Sequence, residues 1–306
     1  MHVAPLLGPA DRRVVEVTGA DRLSYLDAVL SQRLRDAEPG TATAALELGP
    51  HGEPTGALEL AVLDERVVLL VPPAAEGTLE RLSGRTFLSE ATFEPRDDRQ
   101  VLRLRASDAG AVLAAAGLPT TAGTAAEHGR VVVLVHDHGA DLAGPADELD
   151  ELTTALVDAG ATRAEADDLD AAEVALGVPR MPEEVAPGRL PEELGLMPTH
   201  VHLDKGCYPG QEAVARMWML GRPRRRLAVV DPAAGLAAGD VLGEGRTKVE
   251  LTRVAELDGT RVALAFVPPA TAEGDEPAQG VRVLRLVGAD HDVPGHDPAV
   301  PRRRDR

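Results

Sequence analysis

Over the first 160 residues, strand-length apolar runs alternate with single amphipathic helices, and every block is short. This pattern restricts the fold most, because such blocks cannot build a large doubly wound sheet but do suit compact α+β domains. A strand is expected near residues 14–17. The stretch TGADRLSYLDAVLSQRL follows, with Leu23, Leu26, Leu30 and Leu34 spaced as on one helix face and Thr18 or Asp21 as cap. The alternating segments TAALEL and ALELAVL, separated by the turn-rich GPHGEPTG, predict two strands. RVVLLV is apolar throughout, as in a strand covered on both faces. A helix near 74–84 and a strand near 86–94 complete a first α+β domain, residues 1–97. A second domain, residues 98–204, is expected from the strand VLRLR, the helix SDAGAVLAAAG, the strand RVVVLV and an acidic helix carrying Leu149, Leu152, Leu156 and Val157. The two domains can interleave.

Residues 179–199 hold five prolines and show little periodicity, which predicts a long ordered loop. A third unit, residues 205–288, opens with a loop and helix. Beyond residue 223 it turns to β character, from RRLAVV to VRVLRLV, read as a small antiparallel barrel or sandwich. Residues 289–306, rich in Asp, His, Pro and Arg, are expected to be disordered.

The formal charge of −18 disfavours direct contact with nucleic acid backbones and anionic membranes, except where a local basic face overrides it. One such run, RMWMLGRPRRR from Arg216 to Arg226, carries five arginines and no acid. The single cysteine excludes an intrachain disulfide and suits a reducing compartment. The N-terminus lacks the basic and apolar regions of a signal peptide, and no apolar run approaches 18 residues, so the expected location is cytoplasmic.

The chain's only cysteine, Cys207, its only tryptophan, Trp218, one of two tyrosines, Tyr208, and one of two lysines, Lys205, fall together in HLDKGCYPGQEAVARMW. With 30 arginines against two lysines, a skew that GC-rich coding explains, a retained lysine suggests that a compact amine is wanted at 205. In extended backbone Lys205 and Cys207 share one face, with Tyr208 opposite, so the ammonium would favour the thiolate. Gly206 and Gly210 bracket the Cys-Tyr-Pro triplet, and a helix is expected from Gln211 with Glu212 in its first turn. The residues leave several readings open: a reactive or ligand-facing cysteine on a constrained loop, a small buried hydrophobe, a nucleophile paired with His200 or His202, or a metal site from His200, His202 and Cys207. A permanently bound iron–sulfur cluster would need more cysteines.

The segment DKGCYPGQEAVAR resembles the K-G-C-(Phe or Tyr)-x-G-Q-E signature of the YgfZ family, folate-binding relatives of the glycine-cleavage T-protein implicated in iron–sulfur cluster assembly and repair. Lys205, Gly206, Cys207, Tyr208, Gly210, Gln211 and Glu212 agree, and Arg216 and GRPRRRL continue the pattern. VTGADRLSYL, LGPHGEPTGAL, ALGVPR and LPEELGL are similar to further blocks of the family. The resemblance implies three domains around a central channel, the last a small β-barrel. It implies tetrahydrofolate or a derivative as ligand, with Asp21, Arg22, Tyr25, Tyr208 and Gln211 as contacts and Cys207 and Lys205 as the catalytic pair. It implies iron–sulfur client proteins or assembly machinery as partners.

Three departures are visible. Glu173 and Ala175 stand where the T-protein and many relatives carry an arginine and a pterin-binding glutamate, so weaker folate binding is expected. The hairpin reads Thr55, Gly56, Ala57 where the T-protein has acidic residues, one linked to catalysis. Position 209 is proline. The resemblance therefore favours a folate-dependent iron–sulfur factor over the alternative, an aminomethyltransferase or one-carbon transferase. A tRNA-modification role, suggested by family naming, sits poorly with the negative charge.

Overall fold

A computed structural model describes residues 1–289 and 292–297. Its first strand, β1 (Leu6–Ala10), and its second, β2 (Arg13–Thr18), are neighbours in sequence yet enter different sheets. After β2 come α1 (Arg22–Val29), β3 (Thr41–Leu48), β4 (Pro54–Val62), β5 (Val67–Val71), α2 (Glu76–Ser83) and β6 (Thr92–Pro95). These strands form an antiparallel sheet in the order β3-β4-β5-β2-β6. The strand expected near 86–94 is shorter, because residues 86–88 make a 3₁₀ turn first.

The next stretch gives β7 (Gln100–Arg105), α3 (Gly110–Ala115), β8 (Ala125–His128), β9 (Val131–His136), β10 (Gly139–Gly144), α4 (Ala146–Asp158) and β11 (Thr162–Arg163). Here β1 slots between β11 and β7, in the order β11-β1-β7-β10-β9-β8. The two sheets pack face to face. Val14, Ala61, Val68 and Leu70 of the first interlock with Val101, Val132, Leu134 and Ala143 of the second. The outer face of the first sheet is covered by Leu26 of α1 and Leu79 and Leu82 of α2. That of the second is covered by Val112 of α3 and Leu149, Leu152 and Leu156 of α4. This α-β-β-α layering explains why β5 reads as apolar at every position: both its faces are covered.

A helix absent from the sequence reading, α5 (Ala166–Leu176), joins these layers to the rest. Glu165 and Asp168 form a reciprocal capping box at its start, and Gly177 closes it in the left-handed conformation at φ 69°. It packs on β1 and on the last sheet. The proline-rich loop that follows is ordered and carries only the short α6 (Met197–His200). The fully buried Glu184 of this loop accepts from Arg253, and the Glu193 carbonyl accepts from the Leu227 amide at 2.8 Å.

Then come α7 (Gln211–Leu220) and the strands β12 (Arg226–Pro232), β13 (Val241–Leu242), β14 (Val249–Leu257), β15 (Thr260–Val267) and β16 (Val281–Leu286). Their order is β13-β14-β15-β12-β16. Among the described residues β13 and β16 remain edges, so the expected barrel is an open antiparallel sheet. Of the tail expected to be disordered, residues 292–297 are seated on the protein. Val293 is buried, Leu203 donates to the Pro294 carbonyl at 2.9 Å, and the His296 ring meets Trp218 edge-on at 5.5 Å. Residues 298–306 lie outside the described residues. No helix among the described residues is long and apolar enough to cross a membrane.

Candidate functional site

The rare-residue segment docks against the connection between α1 and β3. The His202 amide donates to the Ser31 carbonyl at 3.0 Å, and the Ser31 hydroxyl donates to the His200 carbonyl at 2.6 Å. Lys205 then reaches beneath the loop, with its side chain fully buried. Its Nζ donates to the carbonyls of Asp27, Leu30 (2.7 Å) and Gln32 (2.8 Å) and lies 3.6 Å from the Asp27 carboxylate. The Asp27 and Leu30 carbonyls are left over as α1 ends, where a cation also complements the helix dipole, and that of Gln32 follows just beyond. Three donors radiating from one small centre suit three convergent carbonyls, which a planar guanidinium does not. That geometry accounts for a lysine in an arginine-rich chain. Burial pulls its pKa down to about 8, with Asp27 opposing the fall, so the ammonium is charged at neutral pH.

The expected alternation of faces is therefore replaced by another. Tyr208 turns inward with Lys205, its buried ring 4.9 Å from Nζ, while Cys207 is the one of these three that is exposed. Burial pushes the Tyr208 phenol up to about 12. A loop without strand geometry has no obligation to the period of two, and the inward pull of three carbonyls decides the direction of Lys205. The ammonium thus serves the loop's anchorage rather than facing outward with the thiol.

Gly210, at φ 78°, caps α7, which begins at Gln211 as the sequence predicts. A Cβ at Gly210 would come within 2.5 Å of the Gly49 carbonyl, so the loop sits directly on the β3–β4 turn. Between them opens a cleft of about 760 Å³. Glu47, Thr55, Arg81 and Arg85 line one side, and Cys207, Gln211 and Glu212 the other.

Glu47 is the residue that sequence reading missed. It lies across from Gly56 in the β3–β4 register, beside the Thr55-Gly56-Ala57 stretch in which an acid is lacking. Its buried carboxylate accepts from Arg81 Nε at 2.8 Å and from the Thr55 hydroxyl at 3.1 Å. Desolvation raises its pKa, but Arg81, Thr78 and Thr55 outweigh that and hold it below the ordinary value. Gly56 has its own reason: a Cβ there would strike the Thr78 hydroxyl at 2.1 Å. The available signal was the register of TAALEL against PTGALEL, which puts Glu47 opposite the expected acidic site.

The other predicted residues divide. Tyr208 and Gln211 line the cleft, and Gln211 Nε2 reaches the Lys205 carbonyl at 3.5 Å. Gly206 lies in the loop, with room for a Cβ 3.8 Å from Asp27. Arg216, on the exposed side of α7, is not among the lining residues. Asp21, Arg22 and Tyr25 do not join the cleft either. Asp21 accepts from the Glu90 amide at 2.9 Å, Arg22 donates to the Gly19 and Asp64 carbonyls, and Tyr25 donates to the Leu82 carbonyl beneath an edge-on contact with Phe93. These bonds hold the first domain together. The His200 ring pairs with Thr199 and His202 with the Asp204 amide. Among the described residues, no three His, Cys, Asp or Glu side chains gather as a metal site requires.

Glu173 and Ala175 are both buried. Glu173 accepts from Arg103 at 2.8 Å and Arg105 at 3.0 Å, Arg103 also donates to Asp141 at 2.8 Å, and Glu59 lies 3.3 Å from Arg103. The polarity expected at 173 is reversed because β7 presents two arginines on the same face, at positions 103 and 105, and they need acids around them.

Comparison with solved structures gives the fold a precedent. The crystal structure of the glycine cleavage system aminomethyltransferase T from Bartonella henselae superposes with a TM-score of 0.74 at 20% identity, covering 96% of this chain and 87% of that one. A heterotetrameric sarcosine oxidase from Corynebacterium sp. U-96 is a partial match, with a TM-score of 0.35 and 15% identity over 49% of this chain and 80% of that one. No protein-family model and no curated protein sequence matches the chain. The fold is thus of the aminomethyltransferase T type.

Proposed function

We propose that the chain binds a reduced folate in the Glu47–Cys207 cleft and works as a group-transfer protein of the aminomethyltransferase kind. The observation that carries this reading is a cleft of ligand size at the seam of the first and last domains, with a buried ionised carboxylate in its wall, on an aminomethyltransferase T fold. Fold alone does not confer activity; the residues of the site do. The residues fit the ligand class. Arg85 has no side-chain partner among the described residues and suits the carboxylates of a folate tail, while Thr55 and Gln211 offer polar contacts to a heterocycle edge. Folate, when bound, supplies the one-carbon carrier. Glu47, kept ionised by Arg81, stabilises positive charge in the cleft and serves poorly as a proton acceptor.

A second reading, membership of the YgfZ family and maintenance of iron–sulfur clusters in client proteins, draws on a different observation. Cys207 is exposed at the cleft on a loop whose neighbours Lys205, Tyr208 and Gly210 are all tied down. Aminomethyl transfer has no use for such a thiol. Both readings are tested by one parallel experiment on Glu47→Gln and Cys207→Ala. Purified proteins are assayed for folate binding and aminomethyl transfer, and each variant is asked to restore iron–sulfur enzyme activity in a deletion strain. The transferase reading expects transfer lost in Glu47→Gln and kept in Cys207→Ala. Absence of transfer, together with failed rescue by a well-folded Cys207→Ala, establishes the second reading instead. Absence of tetrahydrofolate binding by calorimetry refutes the proposed ligand.

A further inference from the structure

We infer that a second site, a basic groove at the far end of α7, binds the diphosphate group of a small molecule. Arg224 and Arg225, just ahead of β12, meet Arg246 and Lys248 around a groove of about 140 Å³ that Phe266 and Glu250 complete. The lining carries four cations and one carboxylate, in a chain whose formal charge is −18. That carboxylate is already taken: Glu250 is 2.8 Å from Arg189 and 3.2 Å from Lys248. The side chains of Arg224 and Arg246 have no hydrogen-bond or ion-pair partner among the described residues, and both are exposed.

The groove is also stiffened. The guanidinium of Arg189 stacks 3.8 Å above the buried Phe266 ring and that of Arg225 lies at 5.4 Å, which limits their rotamers while leaving donor edges available. Arg189 Nη1 is buried without a hydrogen-bond acceptor, while Arg225 Nε lies 3.5 Å from the Glu193 carboxylate, so the unmatched donors are those of Arg189, Arg224 and Arg246. Oriented, unmatched guanidinium donors around a local excess of positive charge call for a multivalent oxyanion. The groove is small and open to solvent, a shape that seats one or two phosphoryl groups against the guanidinium edges. The remainder of the ligand therefore lies outside the groove. A long polyanion is disfavoured, because the chain as a whole carries a formal charge of −18.

The test is calorimetry on the full chain with inorganic pyrophosphate, ADP and a single-stranded RNA of about 20 nucleotides at low salt. Pyrophosphate and ADP are expected to bind, with affinity falling about tenfold in Arg224→Ala/Arg246→Ala and again in Lys248→Glu, while the thermal midpoints stay at the wild-type value. Tighter binding of ADP identifies a nucleotide as the source, and equal affinity identifies inorganic diphosphate. No heat with about 1 mM pyrophosphate, undiminished binding by the variants, or RNA binding that pyrophosphate does not displace overturns the inference.

Discussion

Replacing Glu173 tests whether the reversed polarity at that position holds the domains together. The cluster is balanced: Arg12, Arg103 and Arg105 face Glu59, Asp141 and Glu173, drawn from the N-terminal segment, both sheets and α5. Desolvation drives the Glu173 carboxyl up, and Arg103, Arg105, Arg12 and Arg253 more than reverse this, leaving it at about 2 against an ordinary value of 4.5. A difference of this size corresponds to about 3 kcal/mol of stability. Because the folded pKa is the lower one, that stability is fully present above about pH 4.5 and is lost as pH falls toward 2. An independent route gives a similar value, since removing one partner from a buried ion pair costs about 3–5 kcal/mol. Glu173→Gln should thus lose about 3 kcal/mol in urea unfolding at pH 7, followed by the fluorescence of the single tryptophan, Trp218. Wild type should also lose stability more steeply than the variant between about pH 4.5 and 3, by up to about 1.4 kcal/mol per pH unit. Glu173→Arg, which would set four cations against two carboxylates, should not fold. A loss below about 1 kcal/mol in Glu173→Gln, with a pH slope equal to wild type, would falsify the reasoning.

Two further outcomes follow from the signature loop. Lys205→Met leaves three carbonyls at and beyond the end of α1, together with the Asp27 carboxylate, without their cation and should cost about 3–5 kcal/mol in chemical unfolding; a near-neutral result means that water replaces the ammonium. Gly210→Ala forces a Cβ onto the Gly49 carbonyl at φ 78° and should lower stability by about 1–3 kcal/mol while weakening any ligand held in the cleft, measured by thermal shift and calorimetry together.

Legibility in the sequence followed the reach of each interaction. Periodicity marked β5, β9 and α4 because one-sided or two-sided burial is written into neighbouring residues; it located α1 but overran it, since Leu30 and Leu34 are buried past the helix end at Val29. It failed for β10, whose GADLAG carries few large apolar groups although every residue is buried, and for α5, whose AEADDLDAAEVAL looks like an acidic surface segment until Arg103 and Arg105 arrive from a strand about 70 residues earlier. The signature segment was legible as a constrained loop ending in a helix at Gln211. The direction of Lys205 was not, since its three acceptors lie more than 170 residues away. Glu47 was hidden for the same reason, as its role depends on which strand lies opposite and on Arg81 from α2.

The entry of β1 and β2 into different sheets has a consequence for how the chain emerges during synthesis. All five strands of the first sheet are available once residue 95 has appeared, so that half can close early. The ten residues ahead of it must wait. β1 gains its neighbour β7 only when residues 100–105 follow, and its other neighbour, β11, only after residue 163. Cutting the gene near residue 97 would therefore give an N-terminal fragment with an unmatched strand edge and a C-terminal fragment in which β7 is bared and β11 has no neighbour. Deleting the first ten residues would injure a domain encoded some ninety positions downstream and leave the adjacent one nearly intact.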